Sequence, residues 1–267
     1  MIYLALGAGV QSSAMLVMSA LGLRGCPRAD VTIFADVGDE PAWVYEHLAI
    51  LEAWAARNDL EICRVSAGHL SADVAARHNG GRTRCAAVPA YTVGKDGRSA
   101  ILRRQCTREY KIDPIEKEVR HRLGLVPRQR APRGSATALI GISTDEASRM
   151  KPSRSPWCRN QYPLVEAGMR RADCLALLRE HGLPEPRKSS CVFCPYHSDH
   201  FWKRLKLDYP DEFSRAVAFD EEIRDMSASG LRHPAYLHRS LIALSDVDFS
   251  ESQLDLFDEE CAGVCGV

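Results

Sequence analysis

Cys191-Val-Phe-Cys194-Pro195 is the segment of this sequence with the most specific chemical meaning. Two thiols at that spacing close on one metal or cluster, and the proline fixes how the chain leaves. The same spacing also serves a redox dithiol or two inert buried cysteines, so a metal site needs further ligands. Cys106 and Cys85 are the candidates, both in a basic, glycine-containing stretch. Four-cysteine zinc sites and iron-sulfur clusters share this spacing, which leaves both open. A second pair, Cys261 and Cys265, lies in Glu260-Cys-Ala-Gly-Val-Cys-Gly266. A thiolate among acidic residues has a raised pKa and stays a poor nucleophile until it docks on cations. Cys261 or Cys265 is therefore a nucleophile, a fourth ligand or part of an incidental tail. Cys26, Cys63, Cys158 and Cys174 have no paired spacing and read as structural. His197 and His200 are close enough to Cys194 to ligate a metal, but their near-helical spacing on a polar segment reads first as a surface face.

Leu6-Gly-Ala-Gly-Val-Gln-Ser-Ser13 places small residues between a strand and a helix. Backbone N–H groups of Gly7, Ala8, Gly9, Gln11, Ser12 and Ser13 can then approach a phosphate, with the helix N-terminus behind them. Tight packing alone would also explain the turn. It is neither a Walker A loop nor a Gly-x-Gly-x-x-Gly fingerprint. Asp36, at a predicted strand end, either positions a ribose or metal-nucleotide or caps the strand. Gly141, Asp145, Glu146 and Arg149 follow another strand, where polar groups reach a nucleotide. Arg108 and Lys111 flank Cys106, and their charge would offset that of a cluster or phosphate unless they are solvated surface cations. Trp43, Trp54, Trp157 and Trp202 read as packing residues rather than base-stacking platforms.

These residues need a scaffold, and the apolar periodicity supplies an α/β one. Ile2–Leu6, Val31–Ala35 and Leu60–Val65 read as buried strands, alternating with helices over about 12–23 and from Pro41 to about Arg57. Ser12 or Gln11 is the expected cap of the first helix. Such alternation implies a parallel sheet with ligands beyond its carboxyl edge, where both the glycine turn and Asp36 fall. Residues 67–135 read as a loop-rich insertion facing the site, with one helix after Pro114. Thr137–Ile142 is a further strand, and helices follow near 171–181, 200–206 and 211–226. The expected organisation is a nucleotide-binding domain over 1–190 and a C-terminal part over 191–267, holding the cysteine motif, helices and acidic tail of the same compact unit.

The formal net charge is zero over 267 residues, so no global field draws the chain to nucleic acid or membrane. Residues 77–133 nevertheless carry fifteen Lys/Arg against five Asp/Glu, and an anion is expected there. Residues 243–267 carry seven Asp/Glu and no Lys/Arg, a tail that either folds back on the basic region or stays solvated. The first 23 residues are uncharged but broken by Gly7, Gly9, Gln11, Ser12 and Ser13, with no basic start. A signal peptide or membrane span is thereby excluded, and a reducing, cytoplasmic setting is expected, where ten cysteines are free, metal-bound or catalytic.

Several ordered segments together resemble the phosphoadenosine phosphosulfate (PAPS) reductase and PP-loop ATP pyrophosphatase superfamily. The glycine turn resembles the variant PP-loop of the reductases. Phe34-Ala-Asp-Val-Gly-Asp-Glu-Pro41, with Tyr45, is similar to that family's strand ending in Asp-Thr-Gly. Cys106, Lys111 and Pro114 match its Cys…Lys…Pro segment, Gly141 to Arg149 its Gly-x-Arg-x-x-Glu-Ser-x-x-Arg segment, and Tyr162-Pro-Leu164 its Pro-Leu. Gln11, Val37 and Thr144 depart from the pattern, which leaves ATP, adenylyl sulfate (APS) and PAPS open as the nucleotide. The resemblance implies an adenine nucleotide alpha hydrolase-like, Rossmann-like fold, and it favours a 4Fe-4S cluster on Cys106, Cys191 and Cys194 over zinc. The fourth iron is then open or held by Cys85. It implies either ATP-dependent sulfur transfer, with Mg as an optional companion of ATP, or APS/PAPS reduction by Cys261 with a thioredoxin-like reductant. The sulfur acceptor is a nucleic acid or a small molecule, and a homodimer is compatible with both. A zinc-stabilised, non-catalytic nucleic-acid-binding module is the reading from another class.

Overall fold

The computed structural model describes residues 1–78, 88–227 and 230–250. The chain opens with β1 (Ile2–Leu6), α1 (Val10–Leu21), β2 (Val31–Asp36), α2 (Ala42–Ala56), β3 (Ile62–Ser66) and α3 (Leu70–His78). A short antiparallel hairpin follows, β4 (Tyr91–Val93) and β5 (Ser99–Ile101). A π-helical turn over Thr107–Ile112 runs directly into α4 (Asp113–Arg122). Next come β6 (Ala136–Ile140), a 3₁₀ turn at Thr144–Arg149, β7 (Cys158–Gln161), α5 (Pro163–Glu166) and α6 (Arg171–Glu180). The chain ends its described course with α7 (Asp199–Asp208), α8 (Pro210–Glu222) and a 3₁₀ turn at Leu244–Asp246.

Five strands form one parallel sheet in the order β3-β2-β1-β6-β7. The central strands are buried almost throughout, which is why they read as continuous apolar runs rather than alternating ones. The chain moves outward from β1 through β2 to β3, then returns to the other side of β1 at β6. That reversal opens a crevice beyond the carboxyl ends of β1 and β6, where such sheets hold ligands.

The uncharged start of the chain is a core. Nine of the twelve residues of α1 are buried, held between the sheet and Cys174, Leu177 and Leu178 of α6. A helix apolar on all sides belongs in such a position. Among the described residues no helix is long and apolar enough to cross a membrane. On the opposite face, Ile115 and Val119 of α4 cover Tyr3, Ile33 and Ile140. A separate core joins α3, α7 and α8 around Trp202, Phe193 and Phe219.

Several expectations are corrected. α1 begins at Val10, with Gly9 as its cap, because the Ser12 hydroxyl reaches back to the Gly9 N–H at 3.2 Å. The stretch 67–135 holds α3 and the hairpin besides α4. The hairpin is held by Tyr91 bonding both ways to Tyr236, 145 residues on, a contact without a local signature. The strand β7, Cys-Arg-Asn-Gln, has no apolar alternation and forms by pairing with β6 at the sheet edge. At the start of the acidic tail Asp246 and Asp248 are exposed while the apolar residues around them turn inward; residues 251–267 lie outside the described residues. Leu244, Val247 and Phe249 are buried, and the carboxylate of Asp220 in α8 accepts the N–H groups of Leu237 and Leu244 at 2.6 and 3.0 Å.

His47 of α2 is buried against Ser13, whose hydroxyl lies 3.1 Å from Nε2. Burial pulls its pKa down to about 4, so the folded protein keeps it neutral. A depressed histidine leaves stability intact above the unfolded value near 6.5 and removes it as pH falls toward 4. Chemical denaturation at pH 7 and pH 5 should therefore show a loss of about 2 kcal/mol from this group, at 1.36 kcal/mol per unit. His47→Gln should flatten that slope, and an unchanged slope would contradict the assignment.

Candidate functional site

The crevice at the sheet reversal is a cavity of about 170 Å³, floored by Ala5, Leu6, Phe34, Ala35 and Ile140. Gly7, Gly9, Gln11 and Ser12 form one wall and Gly141 and Arg149 the other. The Ser12 hydroxyl accepts the N–H groups of Gly7 and Gly9, both at 3.2 Å, and so fixes the turn. The first turn of α1 presents N–H groups that have no partner within a helix, an anion-binding arrangement. Ala8 holds a left-handed conformation at φ 53° with its side chain buried away from the cavity. Such a backbone costs an alanine of order 1 kcal/mol, strain of the kind that gathers at ligand-binding turns. Ser13 is fully buried on His47 and also lies outside the cavity.

Gly141 is where two backbones meet. A Cβ there would stand 2.9 Å from Ser12 N and 3.0 Å from Ser12 Cα, against main chain that cannot swing aside. Gly141→Ala should push the exit of β6 away from the α1 N-terminus. The expected result is a loss of roughly 1–3 kcal/mol of stability, as for overpacking, measured by thermal unfolding. Unchanged stability would show that the two segments part here without cost.

The cavity carries five cations, Lys111, Arg149, Arg171, Arg187 and Lys188, against three carboxylates, Glu40, Asp145 and Glu146. Arg149 is paired with Glu146, which also accepts from Gln11 Nε2 at 3.3 Å. Asp145 accepts the backbone N–H of Arg171 at 2.6 Å. Among the described residues Lys111 is the one cation of the basic stretch 77–133 that lines this cavity. The other four cations come from residues 149–188. Arg171, Arg187 and Lys188 belong to no motif that would single them out. The run Arg187-Lys-Ser-Ser-Cys191 is their one visible signal, a basic pair leading into the cysteine motif.

Cys106, Cys191 and Cys194 line a second, smaller cavity of about 40 Å³, along with Arg104, Lys111 and Ser190. The Cys194 N–H bonds the Cys191 carbonyl at 3.0 Å, the tight turn that turns both side chains inward. Cys106 enters from the start of the π-helical turn. Among the described residues no group of three or more His, Cys, Asp or Glu side chains is arranged to hold a metal ion. The three thiols stand around a cavity instead. Burial raises the Cys106 pKa, with Arg104 and Lys111 opposing it. Cys191 is pushed well above the ordinary thiol value by burial first and then by the charge of Glu40. The Ser190 hydroxyl is buried in this wall without a hydrogen-bond partner among the described residues. Cys85, Cys261 and Cys265 lie outside the described residues.

Lys111 lines both cavities. Its Nζ donates to Glu40 Oε1 at 3.0 Å, and Glu40 is only 3% exposed. The other carboxylate oxygen, Oε2, is buried with no hydrogen-bond partner among the described residues.

Other predicted residues stand elsewhere. Asp36 accepts from the Gly38 N–H and from the Tyr45 hydroxyl, both at 2.8 Å, and does not line the cavity. It closes the strand end. Arg108 turns outward to Asp113 and Glu116 and lines neither cavity. His197 and His200 are buried rather than on a surface face. His197 Nε2 donates to the Cys191 carbonyl at 2.9 Å, so it braces the cysteine turn, and burial keeps it neutral. Cys26 and Cys174 are buried thiols pushed up to about 12 chiefly by burial, as structural cysteines should be.

No protein-family model matches the chain, and neither does any curated protein. Among solved structures the chain is similar to phosphoadenylyl-sulfate (PAPS) reductase from Candida auris in a phosphate complex. The two share 15% identity over 69% of this chain and 74% of that one, with a TM-score of 0.42. The sheet order and the crevice rest on this chain's own geometry.

Proposed function

We propose that the chain is an adenine-nucleotide-dependent enzyme of sulfur chemistry, with ATP in the crevice and an iron-sulfur centre on Cys106, Cys191 and Cys194. The observation that carries this reading is Lys111, which lines the anion-binding cavity and the three-cysteine cavity together. The segments that resemble PAPS reductases and PP-loop pyrophosphatases support it independently. Three thiols around a cavity suit a cluster, which holds its ligands apart, better than one zinc ion, which draws them to about 2.3 Å from a single point. When bound, the cluster would supply a coordination site for sulfur, provided that neither Cys85 nor a tail cysteine takes its fourth position.

The chain's own residues do the rest. The first turn of α1 and the Gly7–Ser12 turn receive the phosphates, with Mg²⁺ carried mainly by the nucleotide. Arg149, Arg171, Arg187 and Lys188 offset the charge. Transfer of the adenylyl group to an acceptor oxygen releases pyrophosphate and makes that oxygen a good leaving group. Lys111 then stands where AMP must depart and sulfur must arrive, and its charge favours both anions.

Purification without oxygen, with iron, sulfide and zinc content, is the first test. A brown protein with roughly four irons supports the cluster. ATP-to-AMP conversion is then measured against APS and PAPS reduction. Reduction that depends on Cys261, without ATP cleavage, would overturn sulfur transfer, and a colourless one-zinc protein would overturn the cluster.

A further inference from the structure

The last described residues lie on α7. The Lys203 ammonium donates to the Ser250 carbonyl at 3.2 Å, and the Lys206 ammonium lies 5.9 Å from the ring centroid of Phe249, which is buried in the core with Phe213. Arg204, next to Lys203, lines a cleft of about 40 Å³ walled by the rings of Trp43, Phe201 and Tyr209. Arg187 and Lys188 stand on its rim, and among the described residues no carboxylate lines it. Leu207 comes four residues after Lys203 and three after Arg204, so it shares their side of the helix. At 69% exposure it is the most open large apolar side chain among the described residues.

We propose that residues 251–257 cross α7 over Leu207 and seat the side chain of Phe257 in this cleft, with the acidic residues around it held by Arg187, Lys188 and Arg204. The docking needs neither nucleotide nor cluster and stands apart from the function proposed above. Trp43 and Tyr209 pack with ring centroids 4.6 Å apart, and Trp43 is fixed by donating Nε1–H to the Lys188 carbonyl at 3.2 Å. The Arg187 guanidinium lies 5.0 Å over Tyr209, and the Lys188 ammonium 5.4 Å over Phe201. The cleft is therefore formed in advance, with aromatic faces inside and cations at its mouth. It has room for one ring and not for a folded partner.

Sequence, reach and charge select this segment. Residues 251–260, Glu-Ser-Gln-Leu-Asp-Leu-Phe-Asp-Glu-Glu, carry five Asp/Glu, no Lys/Arg and the apolar residues Leu254, Leu256 and Phe257. Asp255 and Asp258 flank Leu256-Phe257, so a ring entering the cleft brings carboxylates to the cationic rim. Arg204 already meets Asp208 at 3.6 Å, an exposed pair that exchanges one carboxylate for another at little cost. Four extended residues cover roughly 13 Å, against about 10–12 Å across a helix with its side chains. Residues 251–257 thus have length to spare between Lys203 and the cleft. A segment tethered so close meets the cleft at an effective concentration of about millimolar, which lets a single ring hold.

Hydrogen–deuterium exchange of the full chain, read by mass spectrometry, tests the docking. In the wild type the amides of 254–258 should exchange at least about tenfold slower than in a free peptide of the same sequence, as for a segment held in place. Phe257→Ser should remove that protection and speed exchange over 200–209, the stretch that lines the cleft. Arg204→Glu should remove it too, because it sets a carboxylate against the acidic segment. Unchanged exchange in β1 and α1 is the check that Arg204→Glu folds, and Phe257→Ser alone decides the matter if it does not. Free-peptide exchange of 254–258 in the wild type would overturn the proposal. Protection that survives both substitutions would place the segment elsewhere and overturn it as well. Protection lost on dilution would mean that the tail of a second copy fills the cleft, and would overturn docking within one chain.

Discussion

Lys111→Met should destabilise the protein by about 3–5 kcal/mol and, on the proposed function, should lower AMP formation by at least about a hundredfold. The first effect follows from what the lysine leaves behind: Glu40, 3% exposed, would keep a buried charge without a counter-ion. Glu40→Gln on its own removes the charge that Lys111 meets and should cost less, because Lys111 is one-quarter exposed and can find water or nucleotide. The double variant Glu40→Gln/Lys111→Met separates the two roles. It should recover most of the lost stability, since a neutral pair replaces a broken ion pair, and none of the activity. Thermal unfolding beside ATP-to-AMP turnover makes the comparison. Activity returning together with stability would reduce Lys111 to a structural cation.

On the proposed cluster assignment, replacing Cys106, Cys191 or Cys194 with serine, one at a time, should remove most of the iron from the purified protein in each case. A cluster held by three or four thiolates loses much of its hold with any one of them. Cys63→Ser should leave the iron content unchanged: Cys63 lies on β3, its thiol 3.7 Å from Glu118 and away from the cysteine cavity. Iron and acid-labile sulfide per chain, after oxygen-free purification, are the readout. Full iron in Cys191→Ser would remove the metal assignment altogether. Because Cys191 and Cys194 also form a tight turn braced by His197, far-ultraviolet dichroism of each variant distinguishes a lost ligand from a lost fold.

Both predictions concern cavities that local sequence could not reveal. Glu40 and Lys111 are 71 residues apart, and the sequence offered Lys111 only as a neighbour of Cys106. Arg108, three residues from Lys111, looked equivalent in sequence. The π-helical turn carries Lys111 into the cavities, while Arg108 turns outward to Asp113 and Glu116. His197 and His200 misled in the other direction. Their helical spacing and polar neighbours suggested a surface, but the core around Trp202 closes over both.

The parallel α/β scaffold, the glycine turn at the end of β1 and the pairing of Cys191 with Cys194 were legible in the chain before any packing was known. Those features are written in local terms. Buried parallel strands are continuous apolar runs, a turn that brings backbone close to an anion needs small residues, and a two-residue spacer forces two thiols into one turn. Packing between distant segments settled the rest: which cations face the crevice, that Gly141 must be glycine because β6 leaves against the first turn of α1, and that one lysine, held by Glu40, lines both cavities. Those are matters of side-chain direction and of the approach of segments far apart in the chain. A charge on a surface loop and a charge in a buried wall have the same letter in a sequence, and only packing sets the dielectric and the partner that make them different.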